Sequence, residues 1–410
     1  MNNWKAWKQE KSYQKLFWAG TASGIGNRFA QVATLTLLYQ LTGSGSAIGL
    51  YFAIRLIPFL VMAPLGGMLA DRFSKKKLLI TMDVIRAPFA LAPIFVHDSE
   101  QLWIIFMSVF CLALGEALYA PIRMASIPAM VKQDRLLYVN AIEQIMVGVV
   151  LVFGSSSGGI ISYLFGLHIP FLLDGISFLI AALLLSKISI PVTTKAKVNV
   201  KQPKTSTHKK SAHKLIIGSF ALIVILFVEW TMPLANGIDN VLMSVYALEV
   251  FQTGDLGVGF IYAFLGIGFV LSSFLSNLLK QKLVTLTVVF IAFEGIGHLL
   301  LSIAPSFIVA LLTVLFITFV GGISNICLTT ITMKIIPKSM HGTFFGLTTM
   351  IANTTLGISM GIVGILLEVF EPRSLSFLVG ITYMILTILY ALLFLQVDLL
   401  HEKRKLRRSL

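Results

Sequence analysis

The chain contains twelve long apolar runs that are separated by short polar segments. A bilayer core about 30 Å thick is crossed by about 20 residues of α-helix. Helices are expected because lipid offers no hydrogen-bond partner to an exposed backbone. The runs predict transmembrane helices over residues 16–41, 47–70, 78–97, 102–124, 138–164, 169–189, 215–248, 258–279, 284–304, 307–333, 343–369 and 375–397. The seventh run is longer than one span needs, and its outer part is expected to protrude or to bend near Pro233 and Gly237.

The composition agrees with a membrane protein and argues against a soluble one. Hydrophobic residues make up 57% of the chain and charged residues 12%. A soluble domain carries about 25% charged residues, because it needs them on its surface. The predicted fold class is therefore an all-α membrane protein with twelve transmembrane helices.

The placement of lysine and arginine predicts the orientation of the helices. If the N-terminus lies inside, nearly all basic residues fall in cytoplasmic segments, and the external loops hold only Arg373. Basic loops are retained on the cytoplasmic side of a membrane. Both termini are therefore predicted to be cytoplasmic. The net charge of +14 then faces anionic lipid, and no nucleic-acid partner is expected.

The chain divides into two similar halves. Thr42-Gly43 resembles Thr253-Gly254, and Ile127-Pro128 recurs as Ile336-Pro337. Two six-helix bundles are therefore predicted, joined by a segment rich in lysine. The predicted segments are an interfacial stretch at 1–14, an N-terminal bundle at 15–190, a basic cytoplasmic linker at 191–214, a C-terminal bundle at 215–397 and a basic cytoplasmic tail at 398–410.

The turn between the second and third runs resembles a signature of the major facilitator superfamily, Gly-x-x-x-Asp-Arg-x-Gly-[Arg/Lys]-[Arg/Lys]. The matching residues are Gly67, Asp71, Arg72, Lys75 and Lys76, and Ser74 replaces the second glycine. The resemblance implies two pseudo-symmetric six-helix bundles with a substrate site between them. It also implies a cytoplasmic latch, in which Asp71 caps the eleventh helix while Arg72 and Lys75 pair with nearby acids or carbonyls. The alternative is that the turn serves as a topology signal alone.

The fifth run is rich in small residues. Gly154, Gly158 and Gly159 resemble the superfamily's antiporter motif Gly-x-x-x-Gly-Pro-x-x-Gly-Gly, with Ser155 in the place of proline. Small residues let helix backbones approach closely. The motif therefore predicts either an ordinary tight helix crossing or a hinge specific to antiport.

Several stretches resemble one branch of the superfamily, which contains macrolide-efflux proteins and enterobactin exporters. The stretches include Ala120-Pro121-Ile122-Arg123, Asp174-Gly175-Ile176-Ser177-Phe178 and Gly342-Thr343-Phe344-Phe345-Gly346. The resemblance implies a multi-pass protein of the bacterial cytoplasmic membrane. This branch often has an acid in the first helix where this chain has Asn27, so a proton-carrying role is not expected there.

Ionisable residues inside the spans are costly and therefore indicate function. Glu116 and Glu229 are the first candidates for proton coupling, with Arg28 or Arg55 as charge partners. A carboxyl group that burial desolvates can be protonated near neutral pH, so that protonation can alternate with substrate binding.

Other ionisable residues in or near the spans have alternative roles. Asp83 and Arg86 share a helix face and are either coupling residues or a structural pair. Glu294 and His298 could form a proton relay, but helix packing is favoured because the ninth helix is peripheral in the family fold. Asp174 is expected to cap or anchor the sixth helix. Glu143 is close to the cytoplasmic end and is expected to be solvated.

The candidate substrate cavity is apolar and aromatic, which suits bulky amphipathic compounds. Its candidate residues are Asn27, Arg28, Arg55, Phe227, Trp230 and Tyr262. The chain has no phosphate-binding Gly-x-x-x-x-Gly-Lys-[Ser/Thr] loop, so the proton gradient is the expected energy source in place of ATP. No cofactor or bound metal is expected, and the protein is expected to be a monomer.

The sequence thus predicts a proton-coupled efflux transporter for hydrophobic or amphipathic drugs such as macrolides. Two alternatives within the superfamily stay open, namely an exporter of an endogenous metabolite such as a siderophore and a lysophospholipid transporter. An alternative of another class, a membrane-embedded enzyme or sensor, would need clustered catalytic residues. The seven histidines are scattered, so this alternative is disfavoured.

Overall fold

Twelve helices make up the described part of the chain. The computed structural model describes residues 7–42, 45–190, 218–275, 279, 281–367, 369–398, 402, 404 and 406. The helices are α1 (Lys11–Thr42), α2 (Gly45–Arg72), α3 (Lys75–Leu91), α4 (Leu102–Met130), α5 (Leu136–Phe165), α6 (His168–Ser186), α7 (Phe220–Val250), α8 (Gly254–Phe274), α9 (Leu283–Ser302), α10 (Phe307–Ile335), α11 (His341–Leu366) and α12 (Pro372–Leu395). Each predicted run corresponds to one helix, so the predicted helix number and order are confirmed.

Eleven of the helices in the described residues are long and apolar enough to cross a membrane. The exception, α1, is the longest at 32 residues, but it carries Asn27, Arg28 and Gln31 in its middle. The predicted linker at 191–214 lies outside the described residues. So do the first six residues of the chain and most of the predicted tail.

Two helices contain an irregular turn. The turns Val150–Gly154 in α5 and Tyr246–Val250 in α7 are π-helical. The longer seventh run therefore forms one continuous helix, which stays α-helical through Pro233 and Gly237 and becomes irregular only beyond them.

The helices pack as two sets with the same pattern of neighbours. In the first six helices, α2 packs on α4, and α3 packs on α4 and α6. The same contacts recur six helices later, where α8 packs on α10, and α9 packs on α10 and α12. The two sets, called the N half and the C half below, meet mainly where α2 contacts α11 and where α5 contacts α8.

Glycines allow the close contact between α5 and α8. A Cβ atom placed on Gly266 would lie 2.8 Å from the carbonyl oxygen of Gly148. A larger residue would push these helices apart, so the small residues of α5 help to define the contact between the halves.

Candidate functional site

The carboxylate of Asp71 caps the first turn of α11. Its Oδ1 accepts a hydrogen bond from the Gly342 amide at 2.8 Å, and its Oδ2 accepts from the Thr343 amide at 2.6 Å and the Thr343 hydroxyl at 2.7 Å. A Cβ atom on Gly67 would lie 2.9 Å from the Cα atom of Gly346, so α2 and α11 touch backbone to backbone. The predicted capping of α11 by Asp71 is confirmed. We call this contact the latch.

The basic residues beside the latch differ in their surroundings. Lys75 is buried and interacts electrostatically with Asp71. Arg72 is exposed and forms no ion pair with the described residues, so its predicted pairing is not observed. Lys76 is half-buried. We call the side of the bundle on which these residues lie the basic side.

A second group of polar contacts ties helices together on the basic side. Arg123 binds Glu143 through two hydrogen bonds of 2.6 and 3.1 Å, and the Tyr13 hydroxyl donates to Glu143 at 2.7 Å. The expectation that Glu143 is merely solvated is therefore wrong, because its partners lie on α4 and α1. Across the halves, Asn140 of α5 donates to the Thr330 hydroxyl of α10 at 2.8 Å.

The core of the N half contains an arginine shared between two acids. The guanidinium of Arg86 lies 2.5 Å from Asp83 and 2.5 Å from Glu116. The rings of Tyr119 and Phe178 lie against it, at 4.5 and 4.4 Å from the ring centroids. A buried charge is stable only when it is paired and hydrogen-bonded, and Arg86 meets this condition. The direct ion-pair partner of Glu116 is thus Arg86, which was not predicted, while the predicted partner Arg55 interacts with Glu116 electrostatically without a direct ion pair.

Asn27 and Arg55 line a cavity of only about 30 Å³, together with Glu116. A cavity of this size accommodates about one or two water molecules and no drug-sized ligand. Arg55 donates to the Tyr51 hydroxyl at 3.3 Å, and Arg28 donates to Gln31 at 2.8 Å. Asn27 and Arg55 therefore lie together in the N half, in a space too small for a bulky substrate, and Arg28 contacts the lining residue Gln31 without lining the space itself.

Asp174 does not cap α6, because that helix begins six residues earlier at His168. Its side chain is fully buried, and one carboxylate oxygen has no hydrogen-bond partner among the described residues. A Cβ atom on Gly26 would lie 2.9 Å from its other oxygen. Asp174 therefore anchors α6 against α1.

The glycines of α5 pack unequally. A Cβ atom on Gly154 would lie 2.7 Å from the Cβ atom of Arg28, and one on Gly158 would lie 3.1 Å from the Cα atom of Phe29. A Cβ atom on Gly159 would have no neighbouring atom within 4 Å. Gly154 and Gly158 therefore allow α5 to cross α1 closely, and the predicted packing role of Gly159 is wrong.

A larger cavity lies mostly in the C half, with Leu151 of α5 as its contact to the N half. Its volume is about 460 Å³, within the range of about 300–1,000 Å³ that is typical of small-molecule sites. Three acids line it, namely Glu229 and Asp239 of α7 and Glu294 of α9. Among the described residues that line it, none is a lysine, an arginine or a histidine. Most of the remaining wall is apolar, including Met232, Leu265 and Phe269.

Only one of the predicted aromatic residues lines this cavity. Tyr262 of α8 is part of its wall. Phe227 instead packs against the apolar core of the C half and contacts the ring of Tyr390. Trp230 is 50% exposed and lies outside the cavity lining. The placement of these two residues in the cavity wall is therefore wrong, because the apolar residues of α7 occupy more than one helix face.

Polar residues of three helices form a network at one wall of the cavity. The Tyr383 hydroxyl of α12 donates to Asn236 at 2.9 Å and to Asp239 at 3.2 Å. The imidazole of His298 stacks on the Tyr383 ring, and its Nε2 lies 3.3 Å from Asp239 Oδ2. Sequence reasoning did not single out Asp239. The signal that would have found it is the spacing of Asn236, Asp239 and Asn240, which places three polar side chains on one face of an apolar helix.

The fold and the cavity together define a class of protein. Two like halves and a drug-sized cavity, with most helices long and apolar enough to span a bilayer, are typical of a membrane transporter. The comparison with known families agrees. A model of the Major Facilitator Superfamily matches residues 16–362, and the chain belongs to this family of multi-pass membrane transporters. It is therefore not an enzyme.

Individual relatives are distant. Macrolide efflux protein A of Streptococcus pyogenes is 25% identical over 193 residues, which are 46% of this chain and 46% of that protein. An uncharacterized MFS-type transporter of Bacillus subtilis, YfiS, is 24% identical over 179 residues, which are 43% of this chain and 42% of that protein. The chain thus matches less than half the length of these relatives.

The fold is shared with solved transporters. The structure of a bacterial homologue of the iron transporter ferroportin, in an outward-facing state, has a TM-score of 0.70 at 15% identity. The match covers 94% of this chain and 100% of that one. The likeness shows the twelve-helix fold of the family.

Proposed function

We propose that this protein is a proton-coupled antiporter of the bacterial cytoplasmic membrane, and that it exports bulky amphipathic cations, such as macrolides, by alternating access. The observation that carries this proposal is the cavity of the C half. Its volume suits a drug-sized molecule, and its described lining combines an apolar wall with three acids and no basic side chain. Macrolides that carry an amino sugar have this combination of bulk, apolar surface and positive charge. The protein is proposed to act as a monomer and without a bound cofactor.

The charge of the cavity favours a cation over an anion or a neutral sugar. Each ionised acid in a low-dielectric wall attracts a positive group and repels a negative one. An anionic substrate would require a lysine or an arginine in the lining, and the described lining has neither. This asymmetry supports the proposed cationic substrate class.

Glu229 and Glu116 differ in their suitability as proton carriers. Glu229 lies on α7 in the cavity wall, and no described residue forms an ion pair with it. Glu116 is held by Arg86 at 2.5 Å, and the arginine compensates its charge permanently. Glu229 is therefore the stronger candidate, since its charge is compensated only by a proton or by a bound cation.

Export requires the cavity to be open to the two sides of the membrane in turn. The latch and the Asn140–Thr330 bond join the halves on the basic side, which we assign to the cytoplasm. Breaking these contacts lets the halves rock and opens the cavity inward. The name of the distant relative, macrolide efflux protein A, supports the outward direction of transport.

Everted vesicles with an acidified lumen test the proposal. Ethidium or erythromycin is added outside, and substrate uptake and lumenal pH are followed together. The expected result is uptake with simultaneous proton release, both of which are lost in Glu229→Gln. Glu100→Gln, an acid in the exposed turn before α4, is the matched control and is expected to behave like the wild type.

Two results would contradict the proposal in different ways. Uptake that continues after the proton gradient is collapsed would exclude proton coupling. Uptake of an amphipathic anion in preference to ethidium would exclude the cationic substrate class.

A further inference from the structure

We propose that Asp239, Glu294, Tyr383 and His298 form an exchange site, at which the positive group of the substrate competes with a proton. The inference rests on the proposed function in taking the C-half cavity as the substrate cavity. Three of the four residues line that cavity, and His298 lies directly behind Asp239. Glu229 is separate, since it lies ten positions before Asp239 on the same helix, a distance of about 15 Å.

The hydrogen bonds around Asp239 leave this site incompletely satisfied. Tyr383 has one hydroxyl proton but two acceptors, Asn236 Oδ1 at 2.9 Å and Asp239 Oδ2 at 3.2 Å. The other oxygen of Asp239 has no hydrogen-bond partner among the described residues. An ionised acid with so few donors favours the arrival of a positive group.

His298 is placed to supply that positive charge. Its side chain is fully buried, and neither ring nitrogen makes a hydrogen bond with the described residues. The ring lies flat against Tyr383, with 5.2 Å between centroids and 7° between planes. A proton on Nε2 would face Asp239 Oδ2 at 3.3 Å and would form a buried ion pair.

A second acid, Glu294, lies on the same helix as His298 and extends the exchange site. Glu294 is 4% exposed and accepts a hydrogen bond from the Ser324 hydroxyl of α10 at 2.7 Å. Gly321 makes room for it, because a Cβ atom there would lie 3.1 Å from the Glu294 carboxyl carbon. Tyr383 interacts electrostatically with both acids. Two acids thus share one wall, with the tyrosine between them.

The charged groups that face His298 from the packed helices are mostly acidic. Asp239 from α7 and Tyr383 from α12 contact the ring, and Glu294 lies one turn away on α9 itself, where it accepts from the Ser324 hydroxyl of α10. The nearest base along these helices is Arg373, which donates to the Ser302 carbonyl at 3.1 Å at the outer end of α9. The protonated imidazole therefore has acids on the cavity side and a base only toward the helix end.

The exchange balances in charge and in protons. Without substrate, His298 carries the proton and neutralises Asp239. When a cation enters the cavity and contacts Asp239 and Glu294, it takes over this neutralisation and repels the imidazolium. The proton then passes from Nε2 to cavity water and leaves on the side to which the cavity is open. One cation enters for each proton released, and the net charge of the site is unchanged.

Packing alone would not account for these residues. A phenylalanine at position 298 could stack on Tyr383 equally well, and burying two acids beside a histidine costs free energy that an apolar contact would avoid. The sequence-based preference for a packing role at Glu294 and His298 rested on a peripheral ninth helix. In the structure, Glu294 of α9 lines the cavity itself.

The test measures proton release by the purified full-length protein in nanodiscs. The probe is tetraphenylphosphonium, a permanent cation that carries no proton of its own. The wild type is expected to release one proton more per cation bound than His298→Phe. This variant is expected to keep the stack and the melting temperature and to release only the proton carried by Glu229. Asp239→Asn is expected to weaken binding by about tenfold or more, the loss of one contact to a charged group.

Matched controls are His168→Asn and Glu100→Gln, whose side chains lie in or next to the connecting turns. Both are expected to behave like the wild type. Proton release from His298→Phe equal to that of the wild type would overturn the exchange site.

A second measurement separates this inference from the proposed function. The isotope-labelled imidazole signals are followed against pH without any substrate, and the His298 signal is identified by its loss in His298→Phe. A titration that occurs at a different pH in Asp239→Asn supports the proton site, and an unchanged titration overturns it. If tetraphenylphosphonium does not bind at all, the cationic substrate class is wrong, and the His298 titration alone decides the role of the site.

Discussion

Replacing Asp71 with asparagine is expected to open the basic side of the transporter. The aspartate accepts three hydrogen bonds from Gly342 and Thr343. An asparagine has one acceptor oxygen, and its amide nitrogen would meet an N–H donor. A hydrogen bond to a charged group contributes about 1.5–3 kcal/mol, and a negative charge at a helix N-terminus about 0.3–1 kcal/mol. The latch should therefore lose about 2–4 kcal/mol, which changes the equilibrium between closed and open forms about 30- to 1,000-fold.

Distances between spin labels measure this equilibrium directly. Spin labels attached to cysteines introduced in place of Lys77 and Lys338 would report the separation of the halves, because both side chains are exposed on the basic side. The native Cys111 and Cys327 are first replaced by alanine. The wild type should give one short distance, and Asp71→Asn should add a population at a longer distance.

The matched control removes another acid that caps a turn. Asp98 accepts hydrogen bonds from the amides of Glu100 and Gln101 in the short turn before α4, far from the latch in sequence. Asp98→Asn should leave the label distances unchanged. A distance distribution of folded Asp71→Asn identical to that of the wild type would refute the reasoning, since it would mean that the three hydrogen bonds do not hold the halves together.

Three further predictions test the packing described above. Arg86→Met leaves two acids without their shared cation and should destabilise the protein by about 3–5 kcal/mol, seen as a lower melting temperature of the purified protein. Gly158→Val should lower the yield of folded protein, whereas Gly159→Val should not; equal effects would contradict the assigned α1–α5 crossing. Glu143→Gln should lower the melting temperature by breaking the bond to Arg123, and the apolar double substitution of both residues to methionine should recover much of the loss.

The helices and the latch could be predicted from the sequence because both depend on local patterns. An apolar run of sufficient length has one stable form in lipid, so the twelve helices followed directly. The latch motif is a contiguous stretch, and the family resemblance supplied the distant partner of Asp71. Neither inference required knowledge of how the other helices pack.

The charge partners could not be predicted because periodicity shows which residues share a helix, not which helices meet. Glu116 lies near Arg86 only because α3 and α4 are neighbours, and Gly115 makes room for the arginine side chain. The spacing of Glu294 and His298 was visible in the sequence, but their partner Asp239 lies on α7. Phe227 was wrongly predicted to line the cavity for the same reason, since an apolar residue on α7 can face lipid, core or cavity.

The contrast between the two halves has a consequence for how such a transporter can evolve to carry new substrates. In the N half, Arg86 forms buried ion pairs with Asp83 and Glu116. A substitution of any of these residues removes part of the support for the whole bundle. In the described part of the C half, acids line the cavity and none of them is paired with an arginine. If the C-half cavity holds the substrate as proposed, the N half supplies structural support and the C half supplies the binding residues. New substrate ranges should arise by changes in the C half, with the N half left as it is.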